Sequence, residues 1–268
     1  MSFIGTSTFS ALRTVAFAAS SAMVLATCRA AAPPRPPASP EPTAASSPDT
    51  RDLEPGELLD FVRAGEDRLH TLRARFTARV ETGERDDREI DGIVIVARPD
   101  AFRMSLISPL GLSVFDHVSN GDRSRTRYPM GPPSSESAAA APPFSHEDLA
   151  EAFLRGDHAY PGHCAPDVIG KDVVEFRCSA TGNASYRILT VERAHGRILD
   201  ERSYRDCRER LHITLGDHRV TDGVELPRRI TMRWPGRDQQ TDIEIHEYQI
   251  NPPLDADLFD VEPPPDRR

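Results

Sequence analysis

The stretch EIDGIVIVARPDAFRMSLISPLGLSVFDHVSNGDRSRTRYP, residues 89–129, decides how this chain is built. Apolar and polar residues alternate through much of it. Short turn-forming groups interrupt it at regular intervals: Arg98-Pro99-Asp100, Pro109-Leu110-Gly111 and Asn120-Gly121. A period of two reads as β-strand, because successive side chains in a strand point to opposite faces. Asn-Gly between two such runs is a hairpin signal, since both residues tolerate positive φ. The pattern therefore predicts strands over 89–98, 101–108, 112–118 and 123–129. In Ile90–Ala97 both faces are apolar, which predicts a strand covered on both sides.

Working outward, residues 74–82 read as a further strand, joined to the first by the charged turn Gly83–Asp87. Before it, Pro55 suits a first helical turn. Leu58, Val62, Leu69 and Leu72 then recur at i, i+4, i+11 and i+14, an apolar stripe that predicts a helix over 55–72. Downstream, a Pro/Ser/Ala-rich loop fills 129–144. Ser145-His146-Glu147-Asp148 reads as a capping box that opens a short helix with Leu149, Phe153 and Leu154 on one side, stopped by Gly156. Strands are predicted again over 172–179, 184–192, 197–205, 208–219, 225–234 and 239–250. The turns between them include Thr181-Gly182-Asn183, Ala194-His195-Gly196, Asp222-Gly223 and Pro235-Gly236-Arg237. Eleven strands with short connections predict an antiparallel meander. Twist makes so wide a sheet curl. The expected fold is α+β, mostly β: a strongly curved antiparallel sheet, an incomplete β-barrel, covered by two or more helices.

The ends differ from this middle. Residues 1–27 read as a signal peptide: Arg13 precedes a short apolar run, Val15 to Ala26, too short for a comfortable membrane span. Leu25-Ala26-Thr27-Cys28 resembles the bacterial lipobox, in which the cysteine is acylated and the chain is cut before it; Thr27 departs from the preferred Gly, Ala or Ser. Residues 28–50 form a lipidated cysteine with a Pro/Ala/Ser-rich linker that cannot bury a core. The folded domain is expected over 51–268. A net charge of −9 argues against a nucleic-acid partner, which needs a basic face. Lys171 is the sole lysine, so the arginine richness reads as a genome-composition bias.

Three runs carry a likeness to a known family. They are Phe102-Arg103-Met104-Ser105-Leu106-Ile107-Ser108-Pro109-Leu110-Gly111, the run Val220 to Ile230 (VTDGVELPRRI), and Tyr248-Gln249-Ile250-Asn251-Pro252-Pro253-Leu254 with Leu258-Phe259. On these residues the chain resembles the LolA/LolB lipoprotein carrier and receptor superfamily over most of 54–262. The resemblance implies an incomplete β-barrel whose apolar cavity holds acyl chains of lipids or lipoproteins. It also implies a place in lipoprotein localisation to the outer membrane. The receptor-like members are themselves outer-membrane lipoproteins, which suits Cys28 and a lipid-anchored position on the periplasmic face. The implied partners are acyl chains, the membrane through the Cys28 anchor, and a soluble periplasmic carrier or another envelope protein. Phe76, Ile93, Ile95, Phe102, Met104, Leu106, Leu112, Phe115 and Trp234 are the cavity candidates; Met and Phe suit irregular ligands. Leu110, at the tip of its turn, is the candidate membrane-facing residue. The same fold also hosts stress-sensing regulators, so a tethered sensor or assembly module without lipid transfer is the alternative reading.

Cys164, Cys178 and Cys207 remain besides Cys28. In an oxidising envelope they predict one disulfide and one spare thiol, with Cys164–Cys178, which closes a short loop, favoured over Cys178–Cys207. His158, His163 and Cys164 match no standard zinc spacing. No Gly-x-Ser-x-Gly elbow, His-Glu-x-x-His or phosphate-binding glycine loop occurs. The expectation is a binding protein, not an enzyme, with no cofactor and no metal.

Overall fold

The structure is a computed structural model that describes residues 49–82, 85–130, 152–153, 163–179, 185–237 and 239–261. Residues 1–48, which include the expected signal peptide, Cys28 and most of the expected linker, lie outside the described residues. Within the described part of the unit Ala44–Arg268, one α-helix, α1 (Pro55–Asp67), precedes twelve strands. The first five are β1 (Thr71–Thr82), β2 (Arg85–Ala97), β3 (Ala101–Ile107), β4 (Ser113–Asn120) and β5 (Arg123–Arg127). The remaining seven are β6 (His163–Ile169), β7 (Val173–Ser179), β8 (Ser185–Glu192), β9 (Arg197–Arg205), β10 (Arg208–Thr221), β11 (Val224–Trp234) and β12 (Gln239–Ile250). A 3-10 turn, Ala256–Phe259, follows.

All twelve strands share one antiparallel sheet in the order β5-β4-β3-β2-β1-β12-β11-β10-β9-β8-β7-β6. Two sequential meanders, β1–β5 and β6–β12, are thus fused by the pairing of β1 with β12. The two-residue period explains the hairpins. At the β10–β11 turn, Asp222 and Gly223 both take positive φ, 48° and 78°, as the tight primed turn requires.

Alternation sorts the side chains. Leu72, Ala74, Phe76 and Ala78 of β1 point into one core with Val94, Met104, Leu211, Ile213, Ile230 and Ile245, while Arg73, Arg75 and Arg79 lie on the other face. Gly92 is buried under the Phe76 ring: a Cβ there would stand 2.3 Å from the ring. Helix α1 closes this core with Leu58, Leu59 and Val62. The doubly apolar β2 has a simple explanation. Val94 and Val96 enter the main core, while Ile95 and Ala97 face a second cluster on the other side, with Val118, Leu258 and Phe259. The C-terminal segment after β12 therefore covers the outer face there.

Three expectations are corrected. The helix ends at Asp67, not at 72. Asn251, beyond β12, accepts hydrogen bonds from the backbone N–H groups of His70 (2.8 Å) and Thr71 (3.1 Å) and donates one to the Arg68 carbonyl (2.9 Å). The chain is thereby turned out of the helix and into β1, so Leu69 and Leu72 leave the stripe while staying buried. The sheet has twelve strands and not eleven: β6, an edge strand holding Pro166, carries too little alternation to be read from sequence. Two or more covering helices are not supported. The described residues hold one α-helix, and the helix expected from Ser145 falls outside them apart from Ala152 and Phe153, which are buried.

The domain begins slightly earlier than residue 51. Thr50 is buried, its N–H and hydroxyl donating to the carbonyls of Ala194 and Arg193 at 3.2 and 2.7 Å. The Arg193 guanidinium returns the clasp to the carbonyls of Arg51 and Leu53. The chain thus enters the domain on the β8–β9 turn.

Candidate ligand cavity

Between α1 and the neighbouring ends of β9–β12 lies a cavity of about 280 Å³. Phe61, Val62 and Gly65 of the helix line it together with Leu72, Ile230 and Tyr248 of the sheet, and Phe153 and Ile198. The helix stripe explains why space is left. Within α1, positions 58, 62 and 65 follow the i, i+4, i+7 spacing, but position 65 is glycine. Tyr248 presents its ring here while its hydroxyl is spent on the Pro227 carbonyl at 2.6 Å. The walls therefore stay apolar even where a phenol contributes to them.

Charged side chains also border it. Arg197 and Glu225 pair at 2.6 Å, and His195 lies 3.1 Å from Glu192. The Arg98 guanidinium donates to the Glu66 carbonyl at 2.6 Å. A largely apolar lining with ion-paired side chains beside it suits an amphiphile, binding by burial of its chain. Among the described residues no group of three His, Cys, Asp or Glu side chains could hold a metal ion.

The nine residues expected to line a cavity lie elsewhere. Phe76, Phe102, Met104, Leu106, Phe115 and Trp234 are buried in the main core, packed by other side chains; the Phe76 and Phe153 rings, for example, sit 6.2 Å apart. Ile93 and Ile95 are half-buried on the opposite face of β2, as strand alternation demands, and Leu112 is 48% exposed. None of the nine lines the cavity. Sequence reasoning sought the largest apolar side chains, whereas the space arises where a stripe lacks one. The gap at Gly65 was the available signal.

Leu110 is 84% exposed at the tip of the β3–β4 turn, near Leu112 in the same loop. Met130, 66% exposed, leaves the sheet at this end too, because Arg127 at the end of β5 pairs with Asp116 near the start of β4. Cys164 and Cys178 face each other across β6 and β7 and are joined by a disulfide; Cys207 is an exposed free thiol in the β9–β10 turn.

The open twelve-stranded antiparallel sheet with its helix has counterparts among solved structures. It superimposes on a domain from Vibrio parahaemolyticus described as an outer membrane lipoprotein-sorting protein, with a TM-score of 0.56 at 14% identity, over 75% of this chain and 94% of that one. A DUF1329 family protein from Desulfovibrio piger gives 0.56 at 11% identity, over 76% and 95%. A LolA superfamily protein from Nitrosomonas europaea gives 0.52 at 13% identity, over 75% and 96%. These likenesses establish the LolA-like fold. No protein-family model and no curated protein sequence matches the chain.

Proposed function

We propose that this protein is a cell-envelope lipoprotein that binds an acyl chain of a lipid or lipoprotein in the cavity beneath α1, without covalent chemistry. The observation that carries the reading is the largely apolar cavity between α1 and the sheet. The LolA-like fold supports it, as do the lipobox-like Leu25-Ala26-Thr27-Cys28 and the Pro/Ala/Ser-rich sequence after it. Each buried methylene would contribute ~0.8 kcal/mol, so a short chain suffices for binding. In this reading acylated Cys28 holds the domain at the periplasmic face of the outer membrane, and the function lies in lipoprotein traffic there. The exposed Leu110, Leu112 and Met130 would touch the bilayer when a chain is delivered. Mass spectrometry of protein purified from envelopes without detergent should find a co-purified acylated molecule. Protein free of any such ligand, with the cavity residues intact, would contradict the reading.

The same exposed apolar tip also favours a second reading, in which the domain is a tethered sensor or assembly module that grips an envelope protein. Recovery of one stoichiometric partner after crosslinking in cells, lost on Leu110→Ser, would favour that reading.

A further inference from the structure

We propose that the cavity receives a single acyl chain at a time, in space kept open by Gly65, and that its ligand is a single-chain amphiphile: a free fatty acid or a lysophospholipid. This rests on the acyl-binding reading above and narrows it. Two independent observations carry it. The first is size. At about 280 Å³ the cavity lies at the small end of ligand pockets, which run roughly 300–1,000 Å³. That suits one slender chain better than the three chains of a triacylated lipoprotein.

The second observation is the glycine. Gly65 sits inside α1, where glycine costs roughly 1 kcal/mol relative to alanine. A close approach would justify it, yet a Cβ at Gly65 would meet nothing within 4 Å. A glycine on the core-facing stripe of a helix, unneeded for packing and bordering a cavity, has one structural consequence: it leaves the room that a larger side chain would fill. Across the opening stand Val220, Gly223 and Val224 of the β10–β11 hairpin, where Val220 is 36% exposed. The chain would enter between helix and hairpin, leaving its headgroup beside the Arg197–Glu225 pair.

The test uses the full-length chain carrying Cys28→Ser, which avoids detergent, with a dansylated undecanoic acid as fluorescent probe. Decanoate, a lysophosphatidylglycerol and a synthetic triacylated lipopeptide serve as competitors. The expected result is one probe per protein, displaced by the single-chain ligands and not by the lipopeptide. Stronger displacement by decanoate than by the lysolipid would assign the free acid, and the reverse the lysolipid; either supports the inference. Each methylene shut out weakens binding about fourfold, so Gly65→Phe should weaken probe binding more than about fiftyfold and Gly65→Ala by about fourfold at most. The ligand series in the Cys28→Ser protein carries the test even where Gly65→Phe does not fold. Tighter displacement by the triacylated lipopeptide than by decanoate overturns this inference and leaves acyl binding standing. Wild-type affinity in a folded Gly65→Phe protein also overturns it. Binding of no acyl ligand at all overturns both.

Discussion

At the scale of single residues, glycine has opposite meanings at two positions. Gly92 is required by contact, because the Phe76 ring fills the place of its Cβ. Gly92→Ala should therefore destabilise the domain by about 1–3 kcal/mol, the usual range for overpacking, seen as a lower urea midpoint at unchanged slope. A neutral outcome would mean that the ring has another place to go. Gly65 has no such contact, and alanine there should, if anything, raise the midpoint. The contact that Gly92 makes is not visible in sequence, whereas the glycine at position 65, in step with Leu58 and Val62, is a legible trace of the cavity. Tyr204 offers a pH signature. Burial, and then the Glu209 carboxylate, hold its phenol above the ordinary tyrosine range. Because the folded-state value is raised, the associated stability is present below pH ~10 and is lost as pH rises through the folded value. Ultraviolet titration should show one late phenolate that disappears in Tyr204→Phe; its persistence in that variant would refute the assignment.

Among elements, the joints mattered more than the elements themselves. Strands β9 and β12 carry their own alternation and their own turns, so their limits of 197–205 and 239–250 were readable from the chain alone. The end of α1 was not, because its determinant, Asn251, lies some 180 residues away. Asn251→Ala removes an acceptor for two backbone donors and a donor to a third group. At about 1 kcal/mol net per hydrogen bond, it should cost roughly 2–3 kcal/mol in chemical denaturation. A loss below about 0.5 kcal/mol would show that water replaces the amide readily. Strand β6 escaped detection because it is short and half-exposed and contains Pro166. Its pairing with β7 is reinforced by Cys164–Cys178, separated by 14 positions. Replacing both with serine should remove about 3 kcal/mol, the loop-closure value for a ring of that length, without altering the other ten strands' circular dichroism.

At the scale of the whole molecule, the fold was legible as a long antiparallel meander, while the site was not. A cavity is a property of what fails to meet. Its walls come from α1, from Phe153 and from five strands, β1 and β9–β12, so no local pattern marks them. Phe76, Phe102 and Met104, expected from sequence to line a cavity, are buried in the main core and are not among the residues that border this one. The proposed anchor bears on the site through the start of the described chain. Thr50 is fastened to the β8–β9 turn, whose His195, Gly196 and Arg197 also border the cavity. A Pro-rich arm of about 22 residues at ~3.1 Å each would let an anchored domain reach up to ~70 Å from the membrane. Metabolic labelling with palmitate should mark the wild type and not Cys28→Ser; label on both, or on neither, would remove the anchor from the account.

The central claim is that an acyl chain lies between α1 and β9–β12. A fatty acid carrying a photoreactive diazirine near its methyl end tests it directly, by irradiation of the bound protein followed by peptide mass spectrometry. The account predicts crosslinks to peptides holding Leu72, Ile198, Ile230 or Tyr248, suppressed by excess decanoate. Crosslinks confined to the exposed tip at Leu110, Leu112 and Met130, or spread over the surface without competition, would contradict it.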